Sequence, residues 1–135
     1  MNWVQQNLGY IPLLALLGWF AWQRILAPRL AGVRNISAGE YLRMRDTAHT
    51  LVDVRTEREW QAGHAPKAVH VPLSSLVAHL DRIPRKQPVV VICASGNRSA
   101  VAAVTLARKG FAPVYNFSGG MAAWQSAGLP VKRGR

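Results

Sequence analysis

Six consecutive residues, Pro88-Val-Val-Val-Ile-Cys93, limit the possible folds sharply. A half-buried strand alternates apolar and polar residues. This run does not alternate, so both of its faces must be covered. Such a strand belongs in the middle of a parallel sheet with helices above and below. The neighbouring segments fit that frame. Thr50-Leu-Val-Asp-Val54, Ala68 to Val71 and Val114 to Phe117 are further short β-rich runs. Ser37-Ala-Gly-Glu40 and Thr56-Glu-Arg-Glu59 are capping boxes that open helices behind them. Ser74 to Leu80 reads as a helix stopped before Pro84, Ser99 to Lys109 as an Ala-rich helix stopped by Gly110, and Gly120 to Ala127 as a last helix. Strands alternating with helices predict an α/β fold, a parallel sheet flanked by helices on both faces.

Composition narrows the function classes. The chain has 135 residues, enough for one domain. Its single cysteine excludes an intramolecular disulfide and a cysteine-based zinc site. His49, His70 and His79 show no ligand spacing, so neither a metal nor a cofactor is expected. Lys+Arg outnumber Asp+Glu 17 to 6, a net charge of +11, which favours an anionic partner. The basic residues are dispersed and no nucleic-acid reader motif occurs, so no nucleic-acid partner is expected.

The first 31 residues read differently. No charged side chain occurs from Met1 to Gln23, and Leu8 to Trp22 is unbroken apolar or Gly/Pro sequence. As one helix, Trp3 to Trp22 would span roughly 28 Å, close to the thickness of a bilayer's hydrocarbon core. A cleaved signal peptide wants basic residues before the run, and there are none; a buried core helix is the other alternative. The expectation is a transmembrane anchor with a short linker over residues 1–31, then one domain over 32–135. Arg24, Arg29, Arg34, Arg43 and Arg45 all follow the run. The positive-inside rule therefore places the N-terminus outside and the domain in the cytoplasm, on a single-pass protein of the cell inner membrane with lipid as a partner.

Cys93 ends the buried strand, and a helix opens shortly after it, beyond Ala94, Ser95, Gly96, Asn97 and Arg98. Ligands of open α/β sheets bind at the carboxyl ends of the strands. A tight turn there aims backbone N–H groups at the sulfur, and Gly96 permits the φ such a turn needs. The helix N-terminus and Arg98 add positive potential. All three effects favour thiolate over thiol, so the pKa of Cys93 is expected to be lowered. The bland alternative is an inert buried cysteine. Asp53 and Arg55 follow a buried strand and could lie near the loop; Asp53 is expected to bond loop backbone or pair an arginine rather than act as a base. Glu59 is read as a helix cap, His64 as a structural hydrogen bonder and Trp124 as core.

Four motifs in order resemble the single-domain rhodanese (thiosulfate sulfurtransferase-like) family. They are Leu51-Val-Asp-Val-Arg55 with Glu59-Trp60, Gly63-His-Ala-Pro-Lys-Ala68, Cys93 to Ser99, and Tyr115-Asn-Phe-Ser-Gly-Gly-Met-Ala-Ala-Trp124. Ala65 and Lys67 stand where the family's turn usually has Ile and Gly. The resemblance implies a rhodanese-like sheet and a persulfide mechanism. Cys93 would be the nucleophile. Ala94, Ser95, Gly96, Asn97 and Arg98 would bind a small anionic sulfur donor such as thiosulfate, with Asp53, Arg55 and Ser99 in support. The acceptor would be a thiol, cyanide or a protein cysteine. Cysteine phosphatases also close a thiolate cradle with arginine, but with five residues between the two; here four intervene, and the smaller ring suits sulfur better than a phosphoryl group. A membrane-bound adaptor that docks a protein partner on the same fold is the alternative of a different class.

Overall fold

The computed structural model describes residues 2–23 and 32–135. Five strands form one parallel sheet: β1 (Val33–Ile36), β2 (Thr50–Asp53), β3 (Val69–His70), β4 (Val89–Ile92) and β5 (Val114–Phe117), in the order β1-β5-β4-β2-β3. The helices are α1 (Trp3–Asn7), α2 (Ile11–Ala21), α3 (Ala38–Met44), α4 (Glu57–Ala62), α5 (Asn97–Arg108) and α6 (Gly120–Ser126). The uninterrupted run takes the central place, with β5 on one side and β2 on the other. Its side chains divide between two cores. Val89, Val91 and Cys93 face the layer that holds Ala102, Ala103 and Leu106 of α5. Val90 and Ile92 face the layer of Tyr41, Phe117, Met121 and Trp124. All four residues of β4 are fully buried, which is why the sequence shows no alternation there.

Both capping boxes form as the sequence predicts. The Ser37 and Thr56 hydroxyls accept from the N–H groups of Glu40 and Glu59, whose carboxylates reach back to the cap. The stretch expected to be a helix from Ser74 to Leu80 is instead two 3-10 turns, Leu73–Ser75 and Val77–Arg82. His79 is the reason. Its ring Nδ1 lies 3.0 Å from the Ser75 carbonyl, the acceptor its own N–H would use in an α-helix. That N–H bonds the Leu76 carbonyl instead, and φ of His79 is −126°.

The transmembrane expectation is overturned. The apolar N-terminal stretch is broken into α1, a 3-10 turn over Leu8–Tyr10, and α2. The longer piece, α2, has 11 residues, about 16 Å of helix where a bilayer core needs about 30 Å. Among the described residues no helix is long and apolar enough to cross a membrane. Two local features break the run. The Asn7 side chain donates to the Trp3 carbonyl at 2.7 Å where α1 ends, and Pro12, which has no N–H to give to the turn before it, sits in the first turn of a new helix. The inner-membrane location and the N-out orientation fall with the span, and the lipid partner loses the feature it rested on. Arg24, Pro28 and Arg29, which belonged to that reading, lie outside the described residues.

Candidate active site

β4 delivers Cys93 to the carboxyl edge of the sheet, and the chain turns at once into α5. Gly96 makes the turn with φ +98° and forms the N-cap of α5, so Asn97 and Arg98 lie in the helix's first turn rather than in a loop. The Gly96 N–H donates to Cys93 Sγ at 3.0 Å. The turn is clamped from outside by α6. The N–H groups of Met121 and Ala122 donate to the carbonyls of Cys93 (2.7 Å) and Ala94 (3.3 Å). This approach requires a glycine at position 120, because a Cβ there would overlap the Cys93 carbonyl oxygen.

From below, Asn116 of β5 holds the same turn. Its Nδ2 donates to the Gly96 carbonyl (3.3 Å) and to Asn35 Oδ1 (3.0 Å), while its Oδ1 accepts from the Ser99 hydroxyl. Ser99 and Asn116 are both buried. A polar hollow of about 220 Å³ opens beside the turn, with Ser95, Gly96, Asn35 and Asn116 on its wall.

Burial pushes the Cys93 thiol up. Hydrogen bonds from the Ser99 hydroxyl and from the N–H groups of Ser99, Ser95 and Gly96 more than offset that, and the net shift is downward. The Ser99 hydroxyl has one proton and also faces Asn116 Oδ1, so the three backbone donors are the firmer part of the effect. They are fixed in place and cost no reorganisation when the sulfur ionises.

Arg98 is placed differently from the sequence expectation. Its two terminal nitrogens grip Glu59 of α4 at 2.7 and 2.8 Å. Glu59 caps α4 as expected, and it serves this second purpose as well. The Arg98 hydrogen bond is the main reason its carboxyl drops from 4.5 to about 2. Arg98 is raised in turn, first by Glu59, with the negative sulfur of Cys93 adding to the effect. Its charge therefore lies near the sulfur while its donors are engaged elsewhere.

Asp53 and Arg55 form a buried pair. Arg55 Nη2 lies 2.8 Å from Asp53 Oδ2, and Nε lies within 3.1 Å of both carboxylate oxygens. Nη2 also donates to the Gly63 carbonyl at 2.6 Å. The pair thus ties the end of β2 to the end of α4, the helix that carries Glu59. Breaking one partner of such a pair costs about 3–5 kcal/mol. His64 Nδ1 lies 2.7 Å from the Trp60 carbonyl, and its ring stacks on Trp60 at 3.6 Å, a structural role. Among the described residues no group of three or more His, Cys, Asp or Glu side chains gathers at one point.

Sequence reasoning missed the Arg98–Glu59 pair, Asn116 and the contact that Gly120 permits. The visible signals were the double glycine before α6 and an asparagine inside a short apolar strand.

The Glu59 shift fixes a pH dependence. A carboxyl lowered on folding stabilises the fold fully above its unfolded value, and that contribution is lost as pH falls through the folded value. Thermal unfolding of wild type and Glu59→Gln should differ most at neutral pH. The gap should narrow as the pH drops below about 4.5 and close near 2. A gap independent of pH would show that the pair adds no charge-dependent stability.

Known proteins resemble this chain in sequence and fold. The family model described as the Rhodanese-like domain matches residues 37–127. A thiosulfate sulfurtransferase, GlpE, from Vibrio cholerae is 36% identical over 98 residues, covering 73% of this chain and 92% of the relative. A crystal structure of a rhodanese-related protein from Thermoplasma volcanium superposes with a TM-score of 0.68 at 32% identity, covering 73% of this chain and 97% of that one. A thiosulfate sulfurtransferase from Pseudomonas aeruginosa gives a TM-score of 0.65 at 28% identity, covering 82% of this chain and 22% of that one. With its parallel sheet, its single cysteine at the end of the central strand and these matches, the chain belongs to the rhodanese-like family.

Proposed function

We propose that this protein is a sulfurtransferase that carries a sulfane sulfur as a persulfide on Cys93, within a catalytic unit spanning residues 32–135. The observation that carries the reading is the turn around Cys93 Sγ, where inward N–H groups face a buried sulfur and favour its anion. The family membership and the thiosulfate sulfurtransferase relative support the same class of activity.

With thiosulfate as donor, the Cys93 thiolate attacks the outer sulfur. A Cys93 S–S bond forms, the donor's S–S bond breaks, and sulfite leaves with the electron pair. The terminal sulfur of the persulfide then takes the position of the incoming charge, within reach of the same backbone donors. An acceptor thiolate or cyanide attacks that terminal sulfur, and the Cys93 thiolate returns as the leaving group. The cradle that lowers the thiol pKa also makes Cys93 a good leaving group, so one set of N–H donors serves both halves of the cycle. Ser95, Gly96 and Ser99 supply those donors. Ala94 and Asn97 complete the turn through which the donor approaches. Arg98, held by Glu59, contributes a fixed positive charge beside the anionic donor.

Cys93→Ser should abolish thiosulfate-to-cyanide transfer and leave the fold intact, because the oxygen cannot form a persulfide and the volume barely changes. Near-normal turnover in that variant would end the proposed mechanism, since the chain has no other cysteine.

Arg98→Ala removes the charge and also leaves Glu59 unpaired beside the site. Steady-state kinetics should show kcat/KM for thiosulfate falling severalfold, because the fixed charge beside the anionic donor is lost. Unchanged kinetics would leave Arg98 with the structural link to Glu59 alone.

A further inference from the structure

A cavity of about 380 Å³ lies away from the sulfur, toward the amino ends of the strands. Leu51, on its wall, pairs in register with Val90, three residues before Cys93, which is about 10 Å along the sheet. The floor is apolar and fixed. Trp124 is held by its indole N–H, which donates to the Pro130 carbonyl at 2.8 Å, and Leu129 is buried beside it. Tyr41 packs 5.3 Å from Trp124, and its hydroxyl lies 2.8 Å from His49 Nε2.

The rim is charged. Arg45 and Lys67 line it with a single carboxylate, Asp46, so the opening is net positive. Arg45 is close enough to act on the Tyr41 hydroxyl. Lys67 has no ion-pair partner among the described residues. Its backbone is unusual too. With φ +67° it is the one non-glycine residue in the left-handed region among the described residues. Glycine takes that conformation without penalty, and a lysine does not. A strained lysine with an exposed, unpaired ammonium at the mouth of a cavity contributes nothing evident to the fold. The cavity's size, its aromatic floor and its few convergent polar groups are those of a small-molecule site.

We propose that this cavity is a second binding site, for a small organic anion whose flat ring sits against Pro66 and Pro130 above the buried Trp124 and Leu129, and whose carboxylate or phosphate is held by Arg45 and Lys67. Neither the sulfur-transfer reading nor Cys93 enters this argument.

Phenyl phosphate is the probe, added to the full chain while the indole N–H of Trp124 is followed by two-dimensional NMR. A saturable shift of that signal is expected. Inorganic phosphate, which lacks the ring, should move it only weakly. Lys67→Gly fits the backbone better than the native residue, so the variant folds. It should bind phenyl phosphate at least about tenfold more weakly, with thiosulfate-to-cyanide transfer unchanged. No saturable shift, an equal response to inorganic phosphate, or undiminished affinity in Lys67→Gly would overturn the proposal. Displacement of the probe by thiosulfate would also overturn it, by assigning the binding to the Cys93 turn.

Discussion

The docking of α6 onto the two carbonyls that follow β4 governs the rest of the site. Met121 and Ala122 donate to the Cys93 and Ala94 carbonyls and so fix the two peptides that lead into the turn whose Gly96 N–H faces the sulfur. The contact depends on a missing Cβ at residue 120. A side chain there would lift α6 from the turn, and the inward donors would lose their aim. Gly120, at the start of α6, thus sets the chemistry of a cysteine at the end of β4.

Two opposing effects meet at the sulfur. Burial in a fully covered strand end disfavours charge. Backbone N–H donors favour it, and here they win. The donors are effective because they are held twice, by α6 from outside and by Asn116 from β5 below. Arg98 supplies charge without supplying a free fork. Glu59 fixes its position and Glu59 is itself fixed as the cap of α4, whose far end is tied to β2 through Arg55 and Asp53. A chain of contacts thus runs from the sheet through α4 to the charge beside the sulfur.

The sheet and the turn were legible in the sequence because their signals are local. β4 announced itself by an uninterrupted β-branched run, and both capping boxes by their three-residue spacing. What the sequence hid was competition and distance. His79 reads as an ordinary helix residue until its ring takes the carbonyl that the helix needs. Hydropathy scores the N-terminal stretch as one span, yet it does not register that α1 ends at Asn7 or that Pro12 withholds an N–H from the turn before it. Arg98 and Glu59 are 39 residues apart, and the capping box already gave Glu59 a sufficient role. Asn116 of β5 joins two other segments, β1 through Asn35 and the start of α5 through Gly96 and Ser99, and no local pattern marks such a junction.

The central claim is that fixed backbone donors make the buried Cys93 sulfur an anion more readily than a free thiol. The rate of alkylation by iodoacetamide as a function of pH tests it directly, because Cys93 is the only thiol in the chain. A midpoint below about 8.5, the value for free cysteine, is the predicted result. A midpoint at or above that value would mean that burial prevails over the donors, and it would contradict the account.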